Sequence, residues 1–242
     1  MTKPIKPLII TILFFISLLS GLQAQNNDTF YRLANIYFKK YVKDGLVNYQ
    51  HAKANAKEIN LIYSMIGKYD LSTSSTNEKK AFYTNAYNIL IIYQIVKLYP
   101  IKNPLDEKGF FSEKQFNVAG EMLTLDKLEK QKMIKELDEP RFHFVLACAA
   151  MSCPPLPNYA YTPSNIETEL AKKTRELLND PNFVKINATQ SKITVSKIFD
   201  WYQADFGGSI INYINKYKNN KIPNNYSIDF FEYNWQLNER KG

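Results

Sequence analysis

Apolar residues recur at spacings of three and four along much of the chain, the spacing that places side chains on one face of a helix. One stripe runs from Phe30 to Tyr41, and another ends before Gly67. The stretch 78–99 is different because it is apolar on nearly every side after its first lysines, until Pro100 stops it. It therefore predicts a buried central helix. Shorter stripes predict further helices over residues 126–137, 164–178, 196–205 and up to about residue 218.

Short alternations of apolar and polar residues predict a small amount of sheet. One hairpin is predicted over residues 115–125, and a second joins 183–187 to 192–195. Taken together, the patterns predict an α+β fold. Helices dominate it, with the buried central helix at about 78–99 and one or two small antiparallel sheets.

The N-terminal residues have the layout of a secretory signal peptide. Lys3 and Lys6 precede an uncharged apolar run from Leu8 to Leu19, and Ala24 is a small residue at a suitable cleavage point. The apolar run is shorter than the roughly 20 residues of a comfortable membrane-spanning helix. We therefore expect residues 1–24 to be removed on export to the periplasm or medium; an uncleaved N-terminal anchor is the alternative.

The remaining chain is predicted to form one globular unit. Of the 242 residues in all, those after the signal suit a single domain with a sizeable core. The predicted organisation is an N-terminal helix in residues 25–45, followed by one globular domain over residues 46–238.

Composition narrows the classes of partner. The formal net charge is +8, spread over lysine-rich helices, which for an exported protein favours solubility or weak association with anionic envelope surfaces over nucleic-acid binding. The 8 glycines form no phosphate-binding loop, so no nucleotide cofactor is predicted. The 17 tyrosines could line a sugar-binding groove, although a general composition bias also explains them.

The stretch 140–157 gathers the residue types best suited to nucleophilic, redox or metal chemistry. It contains His143 together with Cys148 and Cys153, the only two cysteines of the chain. Weak alternation from Arg141 to Cys148 favours a buried strand, with a helix as the alternative. The other histidine, His51, falls at the polar start of a helix and is expected to be solvated.

Three interpretations of the cysteines remain open. Export permits a structural Cys148–Cys153 disulfide, which in so small a loop stabilises by about 2 kcal/mol. Alternatively one cysteine, preferably Cys153, is a nucleophile activated by His143, as in a thiol hydrolase or acyl transferase. The third possibility is a pair that cycles between dithiol and disulfide, although the spacing differs from the C-x-x-C motif. The spacing with His143 also differs from that of common zinc sites.

A nucleophilic cysteine would need a third group to orient His143. The candidates for that group are Asn85, Asn88, Asp200 and Asp205. Asn85 and Asn88 lie within the predicted central helix, where a buried amide must find hydrogen-bond partners. They either tie the helix to neighbouring loops or orient a group of the site. If no cysteine is catalytic, the alternative is a non-catalytic envelope or interaction domain held by the disulfide.

Four segments resemble the family of unknown function DUF547. They are AFYTNAYNIL (81–90), PRFHFVLACAAMSCPPL (140–156), SKIFDWYQADFG (196–207) and YNWQLN (233–238). The resemblance implies a whole single domain, and it implies no activity. It raises the interest of His143, Cys148 and Cys153, which fall in the most recognisable segment. The family usually has Trp-Ile in place of Tyr83-Thr84 and Asp in place of Asn234, so an acid that relatives could use at that position is missing.

Overall fold

The computed structural model describes residues 27–241. The predicted signal peptide at 1–24 lies outside these residues. Among the described helices, none is both long enough and apolar enough to cross a bilayer. The fold is α+β and dominated by helices, as the sequence predicts.

The predicted central helix forms, and it is the most buried element. This helix, α4 (Thr76–Leu98), begins where Ser75 accepts a hydrogen bond from the Glu78 amide, and its side chains from Lys80 to Ile92 are all buried. The other helices are α1 (residues 27–41), α2 (Tyr49–Ala54), α3 (Ala56–Lys68), α5 (Leu125–Lys127), α6 (Ile166–Asn179), α7 (Ile198–Trp201) and α8 (Ile210–Tyr217).

Three small sheets accompany the helices. Both predicted hairpins are present, and the second gains a parallel strand from the C-terminal region, so its sheet is mixed. The strands pair as β1 (Val42–Lys43) with β2 (Leu46–Val47), β3 (Gln115–Val118) with β4 (Glu121–Thr124), and β5 (Val184–Asn187) with β6 (Lys192–Val195) and β7 (Ser227–Phe230).

Two hydrophobic clusters form the interior. The larger one surrounds α4 and takes side chains from α1, α3 and the β3–β4 hairpin. The smaller one lies among α6, α7, α8 and the three-stranded sheet. Phe142 belongs to the larger cluster and Phe144 to the smaller one. The intervening His143 therefore lies where the two clusters meet.

The strand predicted from Arg141 to Cys148 is wrong. Residues Pro140–Phe144 form a 3₁₀ helix, in which Pro140 occupies the first turn and the Glu139 side chain accepts from the Arg141 amide. Beyond it, the amide side chain of Asn88 hydrogen-bonds the Val145 carbonyl at 3.1 Å and the Ala147 amide at 2.9 Å. These bonds satisfy backbone groups that a strand would have given to a neighbouring strand.

The helix predicted over 126–137 forms with an irregularity. Thr124, rather than Asp126, caps it by accepting from the Lys127 amide at 3.1 Å. After α5 the chain continues as a π-helical segment, Leu128–Lys135, in which the Glu136 amide bonds back to the Gln131 carbonyl. π-helical turns are rare and often coincide with functional sites. Here the turn carries Glu129.

Candidate functional site

A cleft of about 420 Å³ lies beside the junction of the two hydrophobic clusters. Its walls come from the loop at 105–112, the segment around Glu129, the 3₁₀ helix with His143, α7, and the C-terminal segment at 233–235. The charged, imidazole, phenol and indole side chains of the lining are Tyr87, Glu107, Lys108, Asp126, Glu129, His143, Trp201, Tyr202, Tyr233 and Trp235.

His143 connects two carboxylates. Its Nε2 lies 2.8 Å from Oδ2 of Asp205, and its Nδ1 lies 3.7 Å from Oε1 of Glu129. Its side chain is 1% exposed, and its ring packs on Tyr202 with centroids 4.1 Å apart. Asp205 lies behind the cleft and does not line it, whereas Glu129 does. The arrangement is therefore a relay from Asp205 through His143 to a carboxylate at the cleft.

Glu129 is a buried carboxylate whose neighbours are mostly neutral donors. Tyr87 donates its hydroxyl to Oε2 at 3.1 Å, and Tyr202 lines the same part of the cleft. Burial, followed by the nearby Glu129 charge, raises the pKa of both phenols above the usual value, so both remain neutral O–H donors. Among the ion pairs of residues 27–241, that of Glu129 involves only His143. A buried carboxyl group without a lysine or arginine partner is unusual, which makes Glu129 a candidate functional residue.

Aromatic rings form one wall of the cleft. Tyr233 lies 4.7 Å, centroid to centroid, from both Trp201 and Trp235, and the two indoles lie 5.8 Å apart. Trp201 is 45% exposed although it is large and apolar. These are the only two tryptophans of the chain, so the intrinsic tryptophan fluorescence comes entirely from this wall.

A charged network fixes the 3₁₀ helix that carries His143. Lys80 Nζ donates to Glu139 at 2.7 Å and to Glu167 at 2.6 Å. Arg141 binds Glu139 through Nε at 2.6 Å and through Nη2, and Nη2 also donates to Glu167 at 2.7 Å. Burial alone would raise the pKa of Glu139, but hydrogen bonds from Arg141 and Lys80 outweigh it and lower that pKa. The network ties α4, α6 and the 3₁₀ helix together.

The two cysteines are joined in a disulfide, Cys148–Cys153. There is no free cysteine among the residues described. Cys148 lines the cleft, whereas Cys153 lines a separate hollow of about 270 Å³. The Tyr233 hydroxyl lies 3.1 Å from Cys148 Sγ and 3.5 Å from Cys153 Sγ. A nucleophilic Cys153 or Cys148 would first require reduction of this bond.

Asn85 and Asn88 bond to backbone groups of neighbouring loops. Asn85 donates to the Tyr161 carbonyl at 2.7 Å and accepts from the Tyr161 amide at 3.0 Å. Asn88 holds the backbone of 145–147, as described above. Of the four residues considered as the orienting group for His143, Asp205 is the one that hydrogen-bonds it. Asp200 instead pairs with Lys197 on the surface at 2.8 Å.

Two sequence features have no direct part in the cleft. Asn234 is exposed, and its side chain accepts from the Gln236 amide at 3.0 Å. An aspartate would form the same turn, so the Asn at this position does not alter the relay. His51 is exposed, as expected, and packs edge-on against Tyr41.

The residue that sequence reasoning missed is Glu129. It lies in a charged segment that reads as a solvated helix, although it shares the inward face with Leu125 and Leu128, which are also buried. Tyr202, Tyr233 and the two tryptophans were also missed as cleft residues, although they belong to the segments SKIFDWYQADFG and YNWQLN. Across residues 27–241, no group of three or more His, Cys, Asp or Glu side chains is arranged to hold a metal ion.

Comparison with known proteins finds a family similarity over the middle of the chain. The family model described as "Protein of unknown function, DUF547" matches residues 71–178, which confirms the resemblance. No curated protein matches the chain, and no solved structure does. The matched range contains Glu129, His143 and both cysteines, while Asp205 and the aromatic wall lie beyond it.

Proposed function

We propose that the cleft is an acid–base active site that hydrolyses a neutral, hydroxyl-bearing substrate. The observation that carries the proposal is Glu129, a cleft carboxylate that is 7% exposed and is surrounded by two phenols and His143. A carboxylate held in one position at the surface of a cleft can act as a general base toward a group within hydrogen-bond reach.

Each residue of the relay has a distinct task in this proposal. Glu129 faces the cleft and accepts a proton from water or from a substrate hydroxyl. His143 faces the Glu129 carboxylate through Nδ1. Asp205 binds the other ring nitrogen and orients the imidazole, as a third group does in other relays. Tyr87 holds the Glu129 carboxylate in one position. The site thus needs no thiol, and the disulfide can remain intact during the reaction.

Charge and shape indicate the class of substrate. The cleft presents the carboxylates Glu107, Asp126 and Glu129 against one cation, Lys108. This excess of negative charge disfavours anionic substrates. The ring wall of Trp201, Tyr233 and Trp235 offers flat apolar faces, and the carboxylates can accept hydrogen bonds from hydroxyl groups. A carbohydrate or another polyhydroxylated compound fits both properties.

We also propose that the domain is exported. The N-terminal sequence supports this, and so does a disulfide in the fold, because disulfides persist mainly in oxidising compartments. Fractionation of cells that express the full chain, followed by mass measurement of the N-terminus, tests it. Removal of residues 1–24 is expected, and a full-length chain confined to the cytoplasm contradicts export.

The hydrolase proposal is tested with neutral chromogenic probes. A panel of 4-nitrophenyl glycosides and 4-nitrophenyl esters supplies both glycosidic and acyl bonds, and a sulfated glycoside supplies the anionic comparison. We expect 4-nitrophenol release from a neutral probe, with a loss of about 10²–10⁴-fold in Glu129→Gln. Glu121→Gln, on an exposed carboxylate outside the cleft, is the matched control.

A binding domain without catalysis is the second candidate, and the disulfide that secures the cleft wall favours it. In this case neutral sugars change the fluorescence of Trp201 and Trp235 without any turnover. Binding without hydrolysis across the panel would replace the catalytic assignment with this one. If no neutral probe is bound and none is hydrolysed, both candidate functions are contradicted.

A further inference from the structure

The two sulfurs of the disulfide have different surroundings. Cys148 lines the cleft and is partly exposed, whereas Cys153 is 9% exposed and lines the hollow behind it. An incoming group in the cleft therefore meets the Cys148 sulfur. In an exchange reaction the sulfur that is not attacked becomes the leaving group. Cys153 is therefore the leaving group in such a reaction.

Cys153 Sγ is surrounded by hydrogen-bond donors. The Cys148 amide donates to it at 3.0 Å and the Ala150 amide at 3.2 Å, and the Tyr233 hydroxyl donates at 3.5 Å. The two amides converge because Ala149, between them, has a left-handed backbone with φ of 63°. Successive amides arranged in this way form a concavity that favours an anion. A disulfide sulfur is a weak acceptor, whereas a thiolate is a strong one.

Tyr233 joins the two sulfurs. Its hydroxyl lies 3.1 Å from Cys148 Sγ and 3.5 Å from Cys153 Sγ. It can therefore donate a hydrogen bond to either sulfur. Burial raises the pKa of Tyr233 above its usual value, so it stays a neutral donor. The phenol can thus stabilise the anion that forms on Cys153 without competing with it as an acid.

We propose that Cys148–Cys153 is a thiol–disulfide exchange site for a neutral or cationic thiol that enters the cleft. The thiolate of the substrate attacks Cys148 Sγ and forms a new S–S bond with it. The Cys148–Cys153 bond breaks, and its electron pair remains on Cys153 as a thiolate held by the two amides and Tyr233. One disulfide is lost and one is formed, so the step needs no external oxidant. The carboxylates of the cleft disfavour anionic thiols, which sets the substrate class.

This activity is independent of the proposed hydrolysis, because it uses the sulfurs and not the Glu129 relay. It is tested by treating the oxidised protein with 2-mercaptoethanol, quenching with acid, alkylating free thiols and mapping the products by mass spectrometry. The same measurement on protein unfolded in urea gives the rate for a disulfide without the fold.

The proposal predicts that the folded protein reacts faster than the unfolded one, by about tenfold, because donors to a charged acceptor act only in the folded state. The adduct should sit on Cys148 and the alkyl group on Cys153. Tyr233→Phe should react more slowly than wild type, whereas Tyr226→Phe, outside the cleft, should not. A folded protein that reacts no faster than the unfolded one, or an adduct on Cys153, would overturn the proposal whether or not either variant folds.

Discussion

Nε2 of His143 lies 2.8 Å from Oδ2 of Asp205, although the two residues are separated by 62 positions in the chain. The contact brings the 3₁₀ helix of the larger cluster against the segment after α7 in the smaller one. It also fixes one ring nitrogen of His143 and leaves the other directed at Glu129. The relay thus depends on how the two hydrophobic clusters are joined, and the first predictions concern the contacts that join them.

Removing the central acid of the charged network should destabilise the fold. Glu139→Gln removes the buried carboxylate that Lys80 and Arg141 share, and leaves them only the more exposed Glu167. Breaking a buried ion pair from one side costs about 3–5 kcal/mol. Urea unfolding followed by circular dichroism measures the loss. Glu121→Gln breaks the surface pair with Lys132, in which Glu121 is 54% exposed, and should cost less than about 1 kcal/mol; equal effects would contradict a buried role for Glu139.

The same network predicts a dependence on acid pH. Hydrogen bonds and charges from Arg141 and Lys80 lower the pKa of Glu139 below its ordinary 4.5 in spite of burial. A carboxyl with a lower pKa in the folded state binds its proton more weakly there than in the unfolded chain. Its stabilising contribution is therefore complete above the ordinary value and is lost as pH falls through the lowered one.

Unfolding free energies measured from about pH 6 down to about pH 3 test this dependence. The wild-type value should fall more steeply with acid than that of Glu139→Gln, because the variant lacks the titrating group. Parallel curves for the two proteins would show that Glu139 contributes nothing to acid sensitivity.

Asn88 should be required for the backbone that leads to Cys148. Asn88→Ala leaves the buried Val145 carbonyl and Ala147 amide without partners, at about 1–3 kcal/mol for each unsatisfied group. Thermal unfolding compared with wild type measures the loss. Asn60→Ala, at an exposed position of α3, is the control and should change the free energy of unfolding by less than about 0.5 kcal/mol. An equally small effect at Asn88 would refute its bridging role.

The disulfide should contribute modestly to stability. With a sequence separation of 5, the chain-entropy model gives about 2 kcal/mol for the loop. Replacing Cys148 and Cys153 together by serine should lower the free energy of unfolding by about that amount and leave a folded protein. Serine at 153 can still accept from the two amides. A double variant that fails to fold would show that the disulfide has a larger part than loop closure.

The sequence is sufficient for the elements whose determinants are local. The apolar surface of α4, the Ser75 cap and Pro100 predict that helix to within a few residues. The two hairpins follow from alternation and from the turn at Ala119-Gly120, where both residues have positive φ. His143 and the cysteines are conspicuous by residue type alone, and Asp205 is among the residues considered as the partner of His143.

The remaining features depend on contacts distant in sequence. The 3₁₀ helix at 140–144 replaces the expected strand because Asn88 and Glu139 satisfy its backbone groups. The Glu167 carboxylate, in the first turn of α6, binds Lys80 and Arg141 from other parts of the fold. Glu129 acquires its partners Tyr87 and His143 only when the chain folds, because both lie outside its own segment. The sequence therefore indicates His143, Cys148 and Asp205 as candidate site residues, but not Glu129 or the aromatic wall.

Under the hydrolase proposal, Glu129 has a catalytic role and not a stabilising one. The free energy of unfolding of Glu129→Gln tests this most directly. The amide keeps the shape and can accept from Tyr87, and no lysine or arginine loses its partner. We predict that Glu129→Gln is as stable as wild type or more stable in urea unfolding at neutral pH, whereas Glu139→Gln loses about 3–5 kcal/mol. A loss in Glu129→Gln as large as that in Glu139→Gln would make Glu129 a structural carboxylate and contradict the account.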